Sequence, residues 1–270
     1  MIEIEEIDGI KIFRLSRSIL GRTLYFTACF WVDGLMVDTG CFYTERDLVC
    51  ALNGLKVDFI VNTHSHEDHV GANAAIKKIH GADIFAHAKA LPQLENPLHN
   101  GPLRPYQKIM WGNPTPSIGS EIGKMIQTDH HSFEVIYSPG HSVDHISLYE
   151  PNMGWLFTGD TYIGGLDRAL RHDYNIWQII SSLKKLVQLE TRLLFPGSGN
   201  VRRDPKAEIC KKIKYLEEVG EKVISLHSKG CSLRQIRKTL FGNETFIAYF
   251  TLGHFSGKNL VRSYIVNQTH

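Results

Sequence analysis

Three features of the chain predict an α/β fold. Residues 57–63, VDFIVNT, form a continuous apolar run, the pattern of a strand buried on both faces. Segments with helical apolar spacing flank that run at 44–55 and 68–80, and ADIFAH follows as another strand. Strand-like runs then recur at FEVIYS, HISLYE and WLFTGD, ahead of a helical segment at 175–189. Alternation of this kind argues for helices layered on sheets.

Each element has its own signal. GIKIFRL, YFTACFWV and GLMVDTG are β-rich runs divided by Gly, Arg and Asp turn residues. In 44–55, Thr44 stands at the N-cap position and Gly54 near the stop. Val70, Ala74, Ile76 and Ile79 carry the helical period of 68–80, which Gly81 closes. Segment 88–120 departs from this regularity. Pro92, Pro97, Pro102, Pro105 and Pro114, with Gly101 and Gly112, suit a long loop or lid. RLLFPG reads as a short strand, and from Pro205 onward the chain is largely helical. The predicted organisation is one domain over 1–204 and a helical extension over 205–270.

Composition narrows the class. With 270 residues, 43% of them hydrophobic, the chain can bury a substantial core. The net charge is +2 and no charged block dominates, so nothing recruits nucleic acid. The start, MIEIEEIDGIKIFRL, has no apolar signal core behind a basic head, and no apolar run is long enough to span a bilayer. Five cysteines, an odd number at no metal-like spacing, fit buried free thiols in a reducing compartment. The expectation is a cytoplasmic protein with a small-molecule substrate and no membrane partner; oligomeric state is not legible.

The chemistry concentrates after the buried run. Thr63-His64-Ser65-His66-Glu67-Asp68-His69 places three imidazoles and two carboxylates at the mouth of a core strand. Left unpartnered there, such groups cost several kcal/mol in desolvation. The mixed donor set suits zinc, iron or manganese, whereas magnesium and calcium prefer all-oxygen sets. In a strand, residues two apart share a face, so His64 and His66 can grip one ion while Asp68 and His69 address a second. His141, in Ser138-Pro139-Gly140-His141-Ser142, and Asp160, in Phe157-Thr158-Gly159-Asp160-Thr161, also stand at strand ends.

The ordered set H-x-H-x-D-H, P-G-H-S and T-G-D over roughly residues 10–200 resembles the metallo-β-lactamase superfamily, most closely its glyoxalase II-like, thioesterase and lactonase branches. The resemblance implies an αββα sandwich with metals at one edge of its sheets; the helical extension over 205–270 is expected to pack on or near that edge. The resemblance also implies that His64, His66 and His141 bind a first ion, that Asp68 and His69 bind a second, and that Asp160 bridges them. Asp38 matches an aspartate that supports the site from behind, as outer-shell acids orient ligand imidazoles. Asp68 also takes the catalytic role of accepting a proton from the attacking water. The implied activity is hydrolysis of an ester, thioester, lactone or phosphodiester by metal-activated water, with one or two ions, zinc first and iron or manganese next.

One position departs from the pattern. Where the family closes its second site with histidine, this chain has Ser198, in Phe195-Pro196-Gly197-Ser198-Gly199. A neutral hydroxyl is a poorer ligand than imidazole, so the second ion is expected to bind more weakly. His172 and His254 are candidates for recruitment, although a surface or packing role accounts for either. Ser198 also motivates the alternative of a catalytically weak metal-binding or regulatory protein on the same fold. A further reading treats GCSLRQIRKTLFG as half of a helix-turn-helix with Arg234, Arg237 and Lys238 as a basic face; a solvated amphipathic helix explains those charges more simply.

Overall fold

The structure, a computed structural model, describes residues 1–19, 22–23 and 25–266. Two compact units are present. The first comprises Met1–Tyr137, Asp144–Ile163 and Thr191–Arg203; the second comprises Ser138–Val143, Gly164–Glu190 and the chain from Asp204 onward.

The first unit holds two sheets. One runs in the order β1 (Ile2–Ile7), β2 (Ile10–Leu15), β5 (Thr27–Val32), β6 (Leu35–Val37), β7 (Phe59–Val61), β8 (Asp83–Ala86) and β9 (Ser120–Glu121), with the ribbon β3 (Ser18–Ile19) and β4 (Arg22–Thr23) standing apart. Hairpins make the β1–β6 side antiparallel, whereas β6 to β9 are parallel. The other sheet runs β10 (Met125–Gln127), β11 (Ser132–Tyr137), β12 (Ile146–Glu150), β13 (Trp155–Gly159) and β15 (Leu193–Pro196), with only β13 and β15 parallel.

Side-chain alternation sorts each strand between two cores. Ile12, Phe30, Val37 and Val61 meet Phe133, Leu148, Trp155, Phe157 and Phe195 between the sheets. The opposite faces of the same strands send Phe13, Cys29, Met36 and Ile60 against Leu48 of α1 (Glu45–Ala51) and Ile76 of α2 (Asn73–His80). That is why 57–63 reads as continuously apolar: both faces of β7 are covered. Each large side chain so buried contributes about 1.5–3 kcal/mol.

Two expectations need correction here. Segment 88–120 is not wholly irregular, because it contains α3 (Leu91–Glu95) and α4 (Pro105–Met110). Pro92 and Pro105 lie in the first turns of these helices, where the missing N–H costs nothing. The cysteines are all free, as expected, but only Cys29 and Cys41 are buried; Cys50 and Cys210 are exposed.

The second unit is mostly helical. Asn175 caps α5 (Ile176–Leu186), Asp204 caps α6 (Pro205–Ser228), and Ser232 caps α7 (Leu233–Phe241) in a capping box with Gln235. α8 (Phe246–Phe250) and α9 (Gly257–Val266) follow, and a ribbon joins β14 (Leu170–Arg171) to β16 (Phe255–Ser256). Ser263 links α9 to α5 by accepting from the Ile176 N–H and donating to the Tyr174 carbonyl. On α7, Arg237 sits 3.5 Å from Glu244 and bonds the Gly242 carbonyl, so this member of the basic face is engaged within the unit. No described helix is long and apolar enough to cross a membrane.

Candidate metal centre

The centre in the first unit is assembled where strands end. β7 stops at Val61, so His64 and His66 occupy a loop and not the strand that their spacing suggested. Side chains from other strand ends fasten that loop. Asp38, just past β6, accepts from the Thr63 N–H and the Thr63 hydroxyl, both at 2.7 Å. Asp144, just before β12, accepts from the Ser65 N–H at 2.9 Å, and the Ile146 N–H donates to the Thr63 carbonyl. Held this way, His64 Nε2 and His66 Nδ1 converge to 2.8 Å. Loop restraints, and not strand alternation, bring these two ring nitrogens together.

The next residues make a turn before any helix begins. The His69 N–H bonds the His66 carbonyl, and the Gly71 N–H bonds the Gly40 carbonyl. Gly71 lies so close to the Cys41–Phe42 backbone that a Cβ there would come within 2.2 Å of the Cys41 carbonyl carbon. That contact delays α2 to Asn73, although the apolar period suggested a start near Asp68.

His69 faces carboxylates on both sides. Its Nδ1 lies 2.7 Å from Asp38 Oδ2, while buried Nε2 has no hydrogen-bond partner and lies 3.6 Å from Asp160 Oδ1 and 3.9 Å from Asp68 Oδ2. A neutral ring that donates through Nδ1 aims its Nε2 lone pair at two carboxylate oxygens. Only a cation, either a proton or a metal ion, relieves that arrangement. Burial works against charge on His69, but Asp38, Asp160 and Asp68 outweigh it and hold its pKa well above the usual imidazole value. Burial likewise pushes the Asp68 carboxyl up to about 7, against the opposing pull of His69. His64, His69 and Asp160 present ligand atoms within 4.8 Å of one another, so the residues fit a divalent metal.

Asp160 owes its position to two neighbours. Its backbone N–H donates to His145 Nε2 at 3.1 Å, which leaves Nδ1–H of His145 to face Thr161 Oγ1 at 3.1 Å. The His145 ring also stacks on His64, with centroids 4.9 Å apart. Gly197, just past β15, makes room for the carboxylate: a Cβ there would lie 2.2 Å from Asp160 Oδ1. Gly197→Ala is therefore expected to displace Asp160 and weaken metal binding by about 10- to 100-fold, the scale of losing a ligand's supporting contact. Competition with a chromophoric chelator measures this, and unchanged affinity would refute the close-approach argument. The adjacent Ser198 hydroxyl is buried without a hydrogen-bond partner.

His141 belongs to the second unit. Its turn is tied to α5 by the Asn175 N–H bond to the Gly140 carbonyl and the Ser182 hydroxyl bond to the Pro139 carbonyl. Tyr174 Oη lies 3.2 Å from His141 Nε2. His172 and His254 fall in the same unit, beside each other.

Several supporting residues escaped the sequence reading: Asp144, His145, Gln107 and Tyr174. Asp144 and His145 carried a usable signal, since two polar residues stand immediately before a strand that is buried throughout. Gln107 of α4 donates to Glu67 Oε1 at 2.7 Å, which ties the proline-rich segment to the histidine loop. Nothing local in the sequence announces that contact.

Comparison with known proteins agrees with this architecture. A family model described as the metallo-β-lactamase superfamily matches residues 22–198. A β-lactamase-like protein 2 homolog of Drosophila melanogaster is 26% identical over 181 residues, 63% of this chain and 54% of that protein. A hydroxyacylglutathione hydrolase of Thermosynechococcus vestitus is 34% identical over 142 residues, 52% of this chain and 49% of its own length. The chain thus spans about half the length of these curated relatives. Among solved structures, a metallo-β-lactamase family protein from Thermus thermophilus superposes with a TM-score of 0.71 at 16% identity, covering 97% of this chain and 94% of that one.

Proposed function

The chain belongs to the metallo-β-lactamase superfamily, and from that premise we propose that it is a metal-dependent hydrolase with zinc as its resident ion. The observation that carries this reading is the buried His69 Nε2 directed at Asp68 and Asp160 beside the converging His64 and His66. In this proposal His64, His66 and His141 hold the first ion, with His141 assigned through its P-G-H-S motif. Asp68 and His69 would hold the second ion, and Asp160 would serve as a ligand to both.

A bound divalent ion supplies a Lewis acid and lowers the pKa of water toward about 7. The protein's own groups do the rest. Asp38 holds His69 by Nδ1 and so directs Nε2 inward, while its second contact keeps Thr63 from moving. His145 holds the Asp160 backbone in place. In this proposal Asp68 accepts the proton released as water attacks. Iron and manganese accept the same donors, so metal identity is settled by elemental analysis of the purified protein.

Relatives named as hydroxyacylglutathione hydrolases support a thioester as the first substrate class to assay, ahead of esters, lactones and phosphodiesters. The test compares metal-replete and chelated protein across those four classes. Metal-dependent turnover of one class is the expected result. Bound metal with no turnover in any class would favour a metal-binding or regulatory protein, the reading that Ser198 motivates.

Ser198 also yields a graded prediction. With a hydroxyl at the last ligand position, the second ion is expected to leave first under mild chelation. Ser198→His is expected to tighten that ion by about 10- to 100-fold. Metal titration of both proteins decides this, and two equally tight ions in the unaltered chain would show that another residue has taken the histidine's place.

A further inference from the structure

The second unit carries a cluster of metal-ligating side chains that the proposed centre does not use. β14 and β16 pair antiparallel with Arg171 opposite Phe255. One step further along the same register sets His172 across from His254, and their rings lie 4.9 Å apart. Asp173 adds a carboxylate, and all three residues present ligand atoms within 4.8 Å of one another. Two imidazoles and one carboxylate suit zinc, cobalt, nickel or iron(II), and not the all-oxygen preference of magnesium or calcium.

We propose that His172, Asp173 and His254 form a divalent transition-metal site belonging to the second unit. Backbone conformation supports the assignment. Leu252 and Gly253 take consecutive left-handed conformations, φ +52° and +80°, and so turn the chain back from α8 to deliver His254 to the ribbon. For leucine this conformation is strained, and its side chain is 85% exposed, so burial of that side chain does not offset the strain. Arg171 grips Asp173 through Nε–Oδ1 at 3.1 Å and a second contact to Oδ2 at 2.9 Å, which orients the carboxylate and leaves further lone pairs for a metal. The simpler account is an ordinary Arg171–Asp173 ion pair with two bystander imidazoles. A bound ion instead clasps both arms of the ribbon, and His254 is already anchored to α9 through its carbonyl and Asn259 Nδ2.

The test uses the full chain carrying H64A and H66A, stripped of metal and titrated with Co²⁺ and Zn²⁺ against a chromophoric competitor. One ion per chain, beyond any held by Asp68, His69 and Asp160, is expected to remain in this background. Adding H172A, a change at a half-exposed side chain, is expected to weaken that ion by at least about 10- to 100-fold, and D173N is expected to weaken it less. Zn²⁺ is also expected to slow hydrogen exchange at Arg171 and Phe255 in the H64A/H66A chain, but not after H172A. Failure of the H64A/H66A chain to bind any ion, or binding indifferent to H172A, overturns the proposal. An H172A effect seen only when His64 and His66 are intact overturns it too, because His172 would then serve the first centre. None of these outcomes depends on whether the protein hydrolyses thioesters.

Discussion

His66→Ala is expected to remove the first ion and to lower hydrolysis by about 10³-fold, since a metal contributes several kcal/mol to the reaction and each 1.4 kcal/mol is tenfold. The residue suits the test because it stands outside the apolar core. It lies in a loop, is only partly buried, and its ring meets His64 edge-on and not the apolar core. The fold is therefore expected to persist, with a melting transition close to that of the unaltered chain. Metal content by elemental analysis and turnover on the best substrate are the two readings. Unchanged stoichiometry would remove His66 from the ligand set. Lost activity with retained metal would make it a substrate-contacting residue instead.

The second large effect is expected at Asp38. This carboxylate is 1% exposed and serves three donors: the Thr63 N–H, the Thr63 hydroxyl and His69 Nδ1. Asp38→Ala leaves the buried Thr63 N–H and His69 Nδ1 without their acceptor, and removing one partner of a buried ion pair costs about 3–5 kcal/mol. The backbone adds to the penalty, because Asp38 sits at φ +60°, which alanine adopts with strain. Asp38→Asn is expected to fall between, since asparagine tolerates the left-handed region and keeps an acceptor for Thr63. Urea unfolding of the metal-free proteins measures the loss directly. Equal stability of all three would show that water replaces the carboxylate without cost.

Much of this was legible in the residues, and the illegible parts have physical causes. A continuous apolar run announced β7 because both faces of that strand are covered, and strand-like runs announced β12 and β13. Periodicity found α2 but misplaced its start, because the delay comes from Gly71 packing on Cys41 and Phe42, which lie remote in sequence. Prolines in 88–120 looked like breakers, yet two of them begin helices. At the candidate centre, the histidines and aspartates and their order were readable. The residues that hold those side chains were not, because Asp144, His145 and Gln107 act through contacts that exist only after distant segments meet.

The stitching of the histidine loop to both sheets has a consequence for how the chain matures. Asp38 and Thr63 emerge early in synthesis, His145 and Asp160 much later, and Gly197 later still. Yet the Ile146–Thr63 and Asp160–His145 bonds and the Gly197–Asp160 approach close the same small volume. Closure over such sequence separations is slow, because loop entropy is lost before the contacts form. Until β15 docks beside β13, the histidine loop lacks the Gly197 side of that volume. The finished centre therefore reports that both sheets have been made and joined, a check on assembly that the ribosome reaches only near residue 197.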